Sequence, residues 1–487
     1  MQQLTILRLV LVVIFAFLGH VVLAQQNNSI QFGSIADSLS LDNDTGQVVI
    51  RNIFISGNRK TKSYIILREM TFKEGDRVPV EELISRVERS RENIYNTRLF
   101  LEVVPHIKNW VNNEVDIYFV LKERWYFFPL PYFRLIDRNL NQWLVEQNAS
   151  LKRVNYGLRF AWNNVSGRND KLRVNLVSGY TRLYDVSYEQ PFADKKLKHG
   201  FGFGFSFSQN RQINLLTENN KQIFFPATNE GIVSDIIRRE IRFDLSYSYR
   251  PDLYRRHNFR FVFVDQKISD TIIKLNANYF LYGRATQVFP ELSYSFENTN
   301  VDSVAYPLRG VSYNWSLTQR GLGISRGMNY WELSAGISRY LTIAGKNHFS
   351  VQVLGKIKLP FTQPYYNLRA LGFGEFFLRG LENYIVDGVA SAVTKFTYRR
   401  RLFQFSIPTI RYKGSVYRMP VKIYAKAYSD WGYSYLKNPG NNPLNNKLIY
   451  TSGFGLDIIT IYDFQLKLEF SFNQLRQNGL FLHTQND

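Results

Sequence analysis

The side chains able to do chemistry are widely scattered along the 487-residue chain. Its six histidines, His20, His106, His199, His257, His348 and His483, follow neither an HExxH nor a clustered-ligand spacing. They therefore read as surface or interface imidazoles and not as a metal centre. The lack of cysteine removes thiolate sites, thiol nucleophiles and disulfides together. Gly200, Gly202 and Gly204 recur at period two inside an alternating segment, no Walker loop is present, and SGFGLD lacks the spacing of a nucleophile elbow. No catalytic residue, cofactor site or metal site is expected, and the chain does not read as an enzyme. What remains is charge, with 61 Lys and Arg against 40 Asp and Glu for a net +21. The basic residues are spread through the alternating segments, so a nucleic-acid partner is not expected. On polar faces, Arg242, Arg250, Lys422, Lys426 and Lys467 predict a positive interior that favours anionic material. Arg399, Arg400 and Arg401 form one conspicuous run, expected at a strand end.

Alternation must position these groups. In IRFDLSYSYR, Ile241, Phe243, Leu245, Tyr247 and Tyr249 are apolar, and the residues between them are polar. HGFGFGFSF puts Phe201, Phe203, Phe205 and Phe207 on one face, and FQLKLEFSF sets Leu466, Leu468, Phe470 and Phe472 against Lys467, Glu469 and Ser471. The 38 Phe and 31 Tyr against 4 Met favour pleated, half-buried surfaces over helix bundles. Sixteen segments of about ten residues follow one another between residues 125 and 485. An even count with aromatics on the apolar face describes an all-β transmembrane barrel of antiparallel strands. The connections 137–153, 210–238, 360–387 and 433–447 are long, whereas 251–256, 343–347 and 461–463 are short. The long stretch 403–419 breaks this rule and is expected as a turn on the short-connection side.

Ahead of the barrel, residues 1–24 read as a signal peptide, with Arg8 before an apolar run and Val22 and Ala24 before the cleavage point. Residues 25–46 form a polar lead-in. Residues 47–123 have the pattern β-α-α-β-β: VVIRNIFISGN, a short helix over TKSYIILREM, then a helix with Val80, Leu83, Ile84 and Val87 on its buried face, and two strands over LFLEVVPHI and EVDIYFVLKER. The barrel occupies residues 124–487.

The segment LGFGEFFLRGLENYIVDG (371–388) and AYSDWGY (427–433) resemble hallmarks of the BamA and TamA superfamily of outer-membrane assembly and translocation proteins. In that family a (V/I)RG(F/Y) tip on the sixth extracellular loop folds into the lumen and meets the Asp of an FxDxG motif on the wall. YPLRG (306–310) and SYEQPF (187–192) are further matches. ISGN (55–58), Thr61, REM (68–70), EGD (74–76) and RLF (98–100) resemble a polypeptide-transport-associated (POTRA) domain, present once. The resemblance implies a lumen loop lock of Arg379, Gly380, Asp430 and Gly432, with Leu378 and Leu381 in place of the usual β-branched and aromatic neighbours. Asp430 shares parity with Lys422 and Lys426, which turns it to the lumen. The implied location is the outer membrane of a Gram-negative-type bacterium, with the POTRA domain in the periplasm. The implied partners are unfolded or extended outer-membrane or secreted polypeptides, the lipid bilayer with lipopolysaccharide, and periplasmic accessory proteins. The implied function is assembly, insertion or translocation of polypeptides, captured by strand addition to the POTRA sheet and passed to the barrel seam or lumen. A dedicated two-partner-type secretion pore and a non-transporting scaffold barrel remain open as alternatives.

Overall fold

The fold comes from a computed structural model that describes residues 46–135, 154–226, 235–325, 327–412 and 415–485. The expected signal peptide, nearly all of the expected lead-in and the connection 137–153 lie outside them. No helix among the described residues is long and apolar enough to cross a membrane.

The small domain has strands β1 (Gln47–Ser56), β2 (Arg77–Pro79), β3 (Phe100–Val111) and β4 (Glu114–Glu123), with helices α1 (Ser63–Leu67) and α2 (Val80–Asn96). Its sheet order is β2-β1-β4-β3, with β1 and β4 parallel. Three-residue β2 is an addition to the expected pattern. The α2 face differs too: Leu83, Val87, Ser90 and Ile94 are buried, while Ile84 is exposed. The four lie at i, i+4, i+7 and i+11, the stripe that one helix face presents to a core. On β4, Asp116 accepts from Arg51, Asn52 and Asn109. These donors, Arg51 first, hold its carboxyl well below the usual range.

The barrel strands begin with β5 (Phe127–Leu135), β6 (Val154–Asn163), β7 (Lys171–Gly179), β8 (Arg182–Gln190) and β9 (His199–Asn210). A short hairpin of β10 (Ile213–Glu218) and β11 (Lys221–Phe225) interrupts them. Then come β12 (Arg238–Tyr249), β13 (Arg255–Ile268), helix α3 (Asp270–Leu275), β14 (Thr286–Val301), β15 (Gly310–Arg320), β16 (Tyr330–Ala344) and β17 (Asn347–Leu359). The long loop that follows carries the small pair β18 (Arg369–Leu371) and β19 (Val386–Asp387). The set ends with β20 (Ala390–Tyr412), β21 (Ser415–Tyr435), β22 (Ile449–Ile459), β23 (Gln465–Asn473) and β24 (Asn478–Gln485). Sixteen of these strands form one sheet, antiparallel from neighbour to neighbour, with β5 and β24 at its ends.

Period two sets the wall. Phe201, Phe203 and Phe205 point outward and are about half exposed, while Gly202 and Gly204 are buried inside. On the outside, Phe201, Tyr247, Phe259, Tyr294 and Trp315 touch ring to ring across five consecutive strands, with centroids 4.8 to 6.1 Å apart. This is the aromatic girdle of a barrel facing lipid.

The described residues of the stretch 403–419 are strand and not turn. β20 and β21 stay paired through it, from Phe403 opposite Ile423 to Tyr412 opposite Ser415, and run on as a two-stranded ribbon. Arg399, Arg400 and Arg401 accordingly sit inside a long strand. Pro408 and Pro420 obscured this in the sequence, because proline ordinarily interrupts a ladder. The ladder absorbs the irregularity as a register shift between Pro408 and Arg411.

Candidate functional site

The candidate site is the point where the loop between β17 and β20 meets the barrel wall. Its tip, Leu378-Arg379-Gly380-Leu381, turns inward. Arg379 Nε donates to Asp430 Oδ2 at 2.8 Å, Nη2 reaches Oδ1, and the Arg379 backbone N–H donates to Oδ2 at 3.0 Å. The same guanidinium donates to Thr397 Oγ1 at 3.1 Å and lies 4.0 Å above the Tyr428 ring. Asp430 is fully buried and Arg379 nearly so. A bidentate pair satisfied by a further hydroxyl and an aromatic face is the arrangement in which buried charge is tolerable.

Two glycines shape the contact. Gly380 has φ +90°, and a Cβ there would stand 2.6 Å from Ser471 Cβ. A Cβ on Gly432 would stand 2.8 Å from the Leu378 side chain. Leu378 and Leu381 are buried among Leu354, Leu371, Phe376, Val393 and Ile449. The two leucines thus fill an apolar seat on either side of the ion pair.

Sequence reading missed what holds the loop's base. Asn220, in the β10–β11 turn, is fully buried. It exchanges hydrogen bonds with Ile385 of the loop and with Asn442, Leu444 and Asn445 of the loop between β21 and β22. Asn445 also donates to Asp387 O at 2.6 Å. Beside them Ile213, Leu215, Ile272, Tyr279 and Phe280 form a second apolar cluster. Three loops distant in sequence therefore converge at the end of the barrel away from the small domain. Lone asparagines in polar loops carry no sequence signal of such convergence.

The lumen is less uniformly positive than expected. Lys426 bridges Asp457 and Glu469, and Arg399 lies 3.8 Å from Asp457. Tyr306, from the YPLRG turn, donates to Asp457 at 2.8 Å. Arg250 does not serve the lumen field. It leaves β12 at the domain end and donates from both terminal nitrogens to Glu69 of the small domain, at 2.7 and 2.8 Å. Arg68 joins the same carboxylate at 3.1 Å. Burial and the Arg250 charge push its pKa down to about 10. Further round, Glu92 on α2 pairs with Arg309 at 2.6 Å, Asn96 donates to Val301 O and accepts from Val304 N–H, and Asp463 accepts from Tyr95 and Arg124. Burial and the Asp463 charge push the Tyr95 hydroxyl up to about 12.

The seam has its own geometry. Among the described residues no ladder joins β5 to β24. β5 carries Pro129 and Pro131 yet pairs continuously with β6. Alternate residues of a strand present their N–H groups to one side, so the two missing donors fall on the seam side.

Comparison with known proteins adds the family context. Residues 164–385 match the Omp85 superfamily domain, and residues 48–124 match the POTRA model, described as a surface antigen variable number repeat. No curated protein sequence matches the chain. Among solved structures, CdiB from Escherichia coli aligns with a TM-score of 0.50 at 13% identity, over 90% of this chain and 75% of that one. BamA from Haemophilus ducreyi lacking POTRA domains 1-3 aligns with a TM-score of 0.49 at 15% identity, over 90% and 84%. At such identity the likeness to CdiB is one of fold.

Proposed function

We propose that this chain, which belongs to the Omp85 superfamily and carries a single POTRA domain, is a polypeptide assembly or translocation factor of a Gram-negative-type outer membrane. The carrying observation is the lumen loop fixed to the wall through Arg379 and Asp430, with Gly380 and Gly432 making room for it. In this reading the leader exports the chain, the POTRA domain stands in the periplasm, and the aromatic girdle meets lipid and lipopolysaccharide. The clients are extended polypeptides. They pair first with β3, the strand at one end of the small sheet, through main-chain hydrogen bonds that tolerate many sequences. They then pass to the donor-poor seam beside β5 or into the lumen, and the loop lock sets which route is open. No catalytic role is assigned.

A dedicated secretion pore for one partner is the second reading. It is favoured by the three loops that converge on the far mouth, which would act as a plug. Depletion of the protein followed by quantitative outer-membrane proteomics tests both. A broad fall in other barrel proteins is the outcome expected for assembly, and loss of one surface protein the outcome expected for dedicated secretion. An unchanged outer membrane overturns both and leaves a non-transporting scaffold.

A further inference from the structure

We propose that Glu382, Glu469 and His483 form a zinc-type divalent metal site that fastens the lumen loop to the last barrel strand. The three residues come from the loop just past its tip, from β23 and from β24. Sequence spacing shows no sign of them, because only the folded sheet brings them together. Their ligand atoms lie within 4.8 Å of one another. His483 Nε2 stands 3.3 Å from Glu382 Oε1 and 3.3 Å from Glu469 Oε2. Ligands bound about 2.0–2.1 Å from a tetrahedral zinc stand about 3.3–3.4 Å apart, so both distances match edges of such a site.

Two of the three ligand atoms are also left without other duties. Glu469 is 2% exposed, and its Oε1 is taken by Lys426. Its Oε2 and His483 Nε2 are buried and make no hydrogen bond. Neither 3.3 Å approach makes a hydrogen bond, so a simple hydrogen-bonded pair does not account for the arrangement. Glu382 is oriented by the Gly380 N–H, which donates to its Oε1 at 3.0 Å, the kind of outer contact that aims a ligand. Lys426 and Arg399 balance Asp457 and Glu469, which leaves the Glu382 carboxylate and the His483 imidazole to meet a cation. One nitrogen and two carboxylate oxygens suit zinc better than calcium or magnesium, which take more oxygens or hold their water. Glu382 is the exposed member of the three, which leaves a path for the ion and a place for a water ligand on its side.

The experiment is calorimetric titration of Zn2+ into the full chain in detergent micelles. One zinc per chain is expected. His483→Gln and Glu382→Gln should each weaken binding by more than about tenfold, since even outer contacts of metal ligands are worth about 10–100-fold. Equimolar Ca2+ should not compete. Glu382 is exposed, so its variant reads out even where a strand substitution disturbs folding. In parallel, zinc should slow proteolysis of the loop in the native chain and leave it unchanged in the Glu382→Gln variant. No saturable zinc binding by the native chain, or equal affinity in both variants, overturns the assignment. The outcome is independent of whether the protein assembles, secretes or does neither.

Discussion

The two ends of the barrel use the same chemical pair with largely opposite polarity and different support. At the loop junction the guanidinium, Arg379, comes from the inserted segment, and the carboxylate, Asp430, belongs to the wall. At the domain junction two carboxylates, Glu69 and Glu92, come from the appended domain and pair with Arg250 and Arg309 of the barrel, alongside Arg124 with Asp463, which keeps the polarity of the loop junction. The loop junction adds apolar seating by Leu378 and Leu381 and two glycines with no room for a side chain. The domain junction also has apolar seating, from Phe192, Leu197 and Tyr126, but spreads its charge over several pairs, from Glu69 with Arg250, 2% and 16% exposed, to Glu92 with Arg309, whose guanidinium side is 60% exposed. One contact is fixed by shape around a single pair, whereas the other is distributed over several, of which the outermost, Arg309 with Glu92, is reached by water and salt.

The largest effect should follow from breaking the loop junction. Asp430→Ala leaves a buried Arg379 uncompensated, which costs about 3–5 kcal/mol. The expected readout is rapid cleavage within 360–389 under limited proteolysis. Equal protection of native and variant chains would remove the contrast between the two ends. The domain junction should break more cheaply. Glu69→Ala strands Arg250 and Arg68 at a partly hydrated interface, for about 2–3 kcal/mol by the worth of charged hydrogen bonds. Faster hydrogen exchange in α1 is the measurement, and exchanging the charges with Glu69→Arg plus Arg250→Glu should restore part of the protection. The smallest effect is that of salt. Raising ionic strength from 0.1 to 1 M shortens the screening length from about 10 to about 3 Å. Arg309, 60% exposed, pairs with Glu92 from the solvent side, and such solvent-reached pairs are worth about 1 kcal/mol. Exchange at 302–309 should therefore quicken while 376–382 does not change; a loop that loosens equally would mean the lock is not sealed from solvent.

Much of the barrel was legible because each strand face repeats at period two, as in Ile241 to Tyr249 or Leu466 to Phe472, and lipid on one side imposes that period strictly. The ribbon 403–419 was not legible because it runs past the wall, where no apolar face is required of it, and its prolines imitate a turn. On α2, Ile84 was assigned inward from a four-residue pattern that the longer stripe through Ser90 and Ile94 corrects. The pairing of Arg379 with Asp430 was readable only through short family motifs, since 51 residues separate them. Asn220 with Asn445, and His483 with Glu469, carried no signal at all. Their meaning lies in which loops and strands fold together.

The small domain does not close its own core. Phe192 and Leu197, from the turn between β8 and β9, and Tyr126, from the junction with β5, are buried in it. Arg68 covers the Phe192 ring at 4.8 Å and donates to Leu197 O. As a matter of descent, then, the unit that can be traded between related chains is not the 77 residues that match the family repeat but those residues together with a turn some seventy positions downstream. A foreign domain grafted at Trp125 would arrive with a socket and no plug. A recombination that preserved the turn would inherit a finished interface.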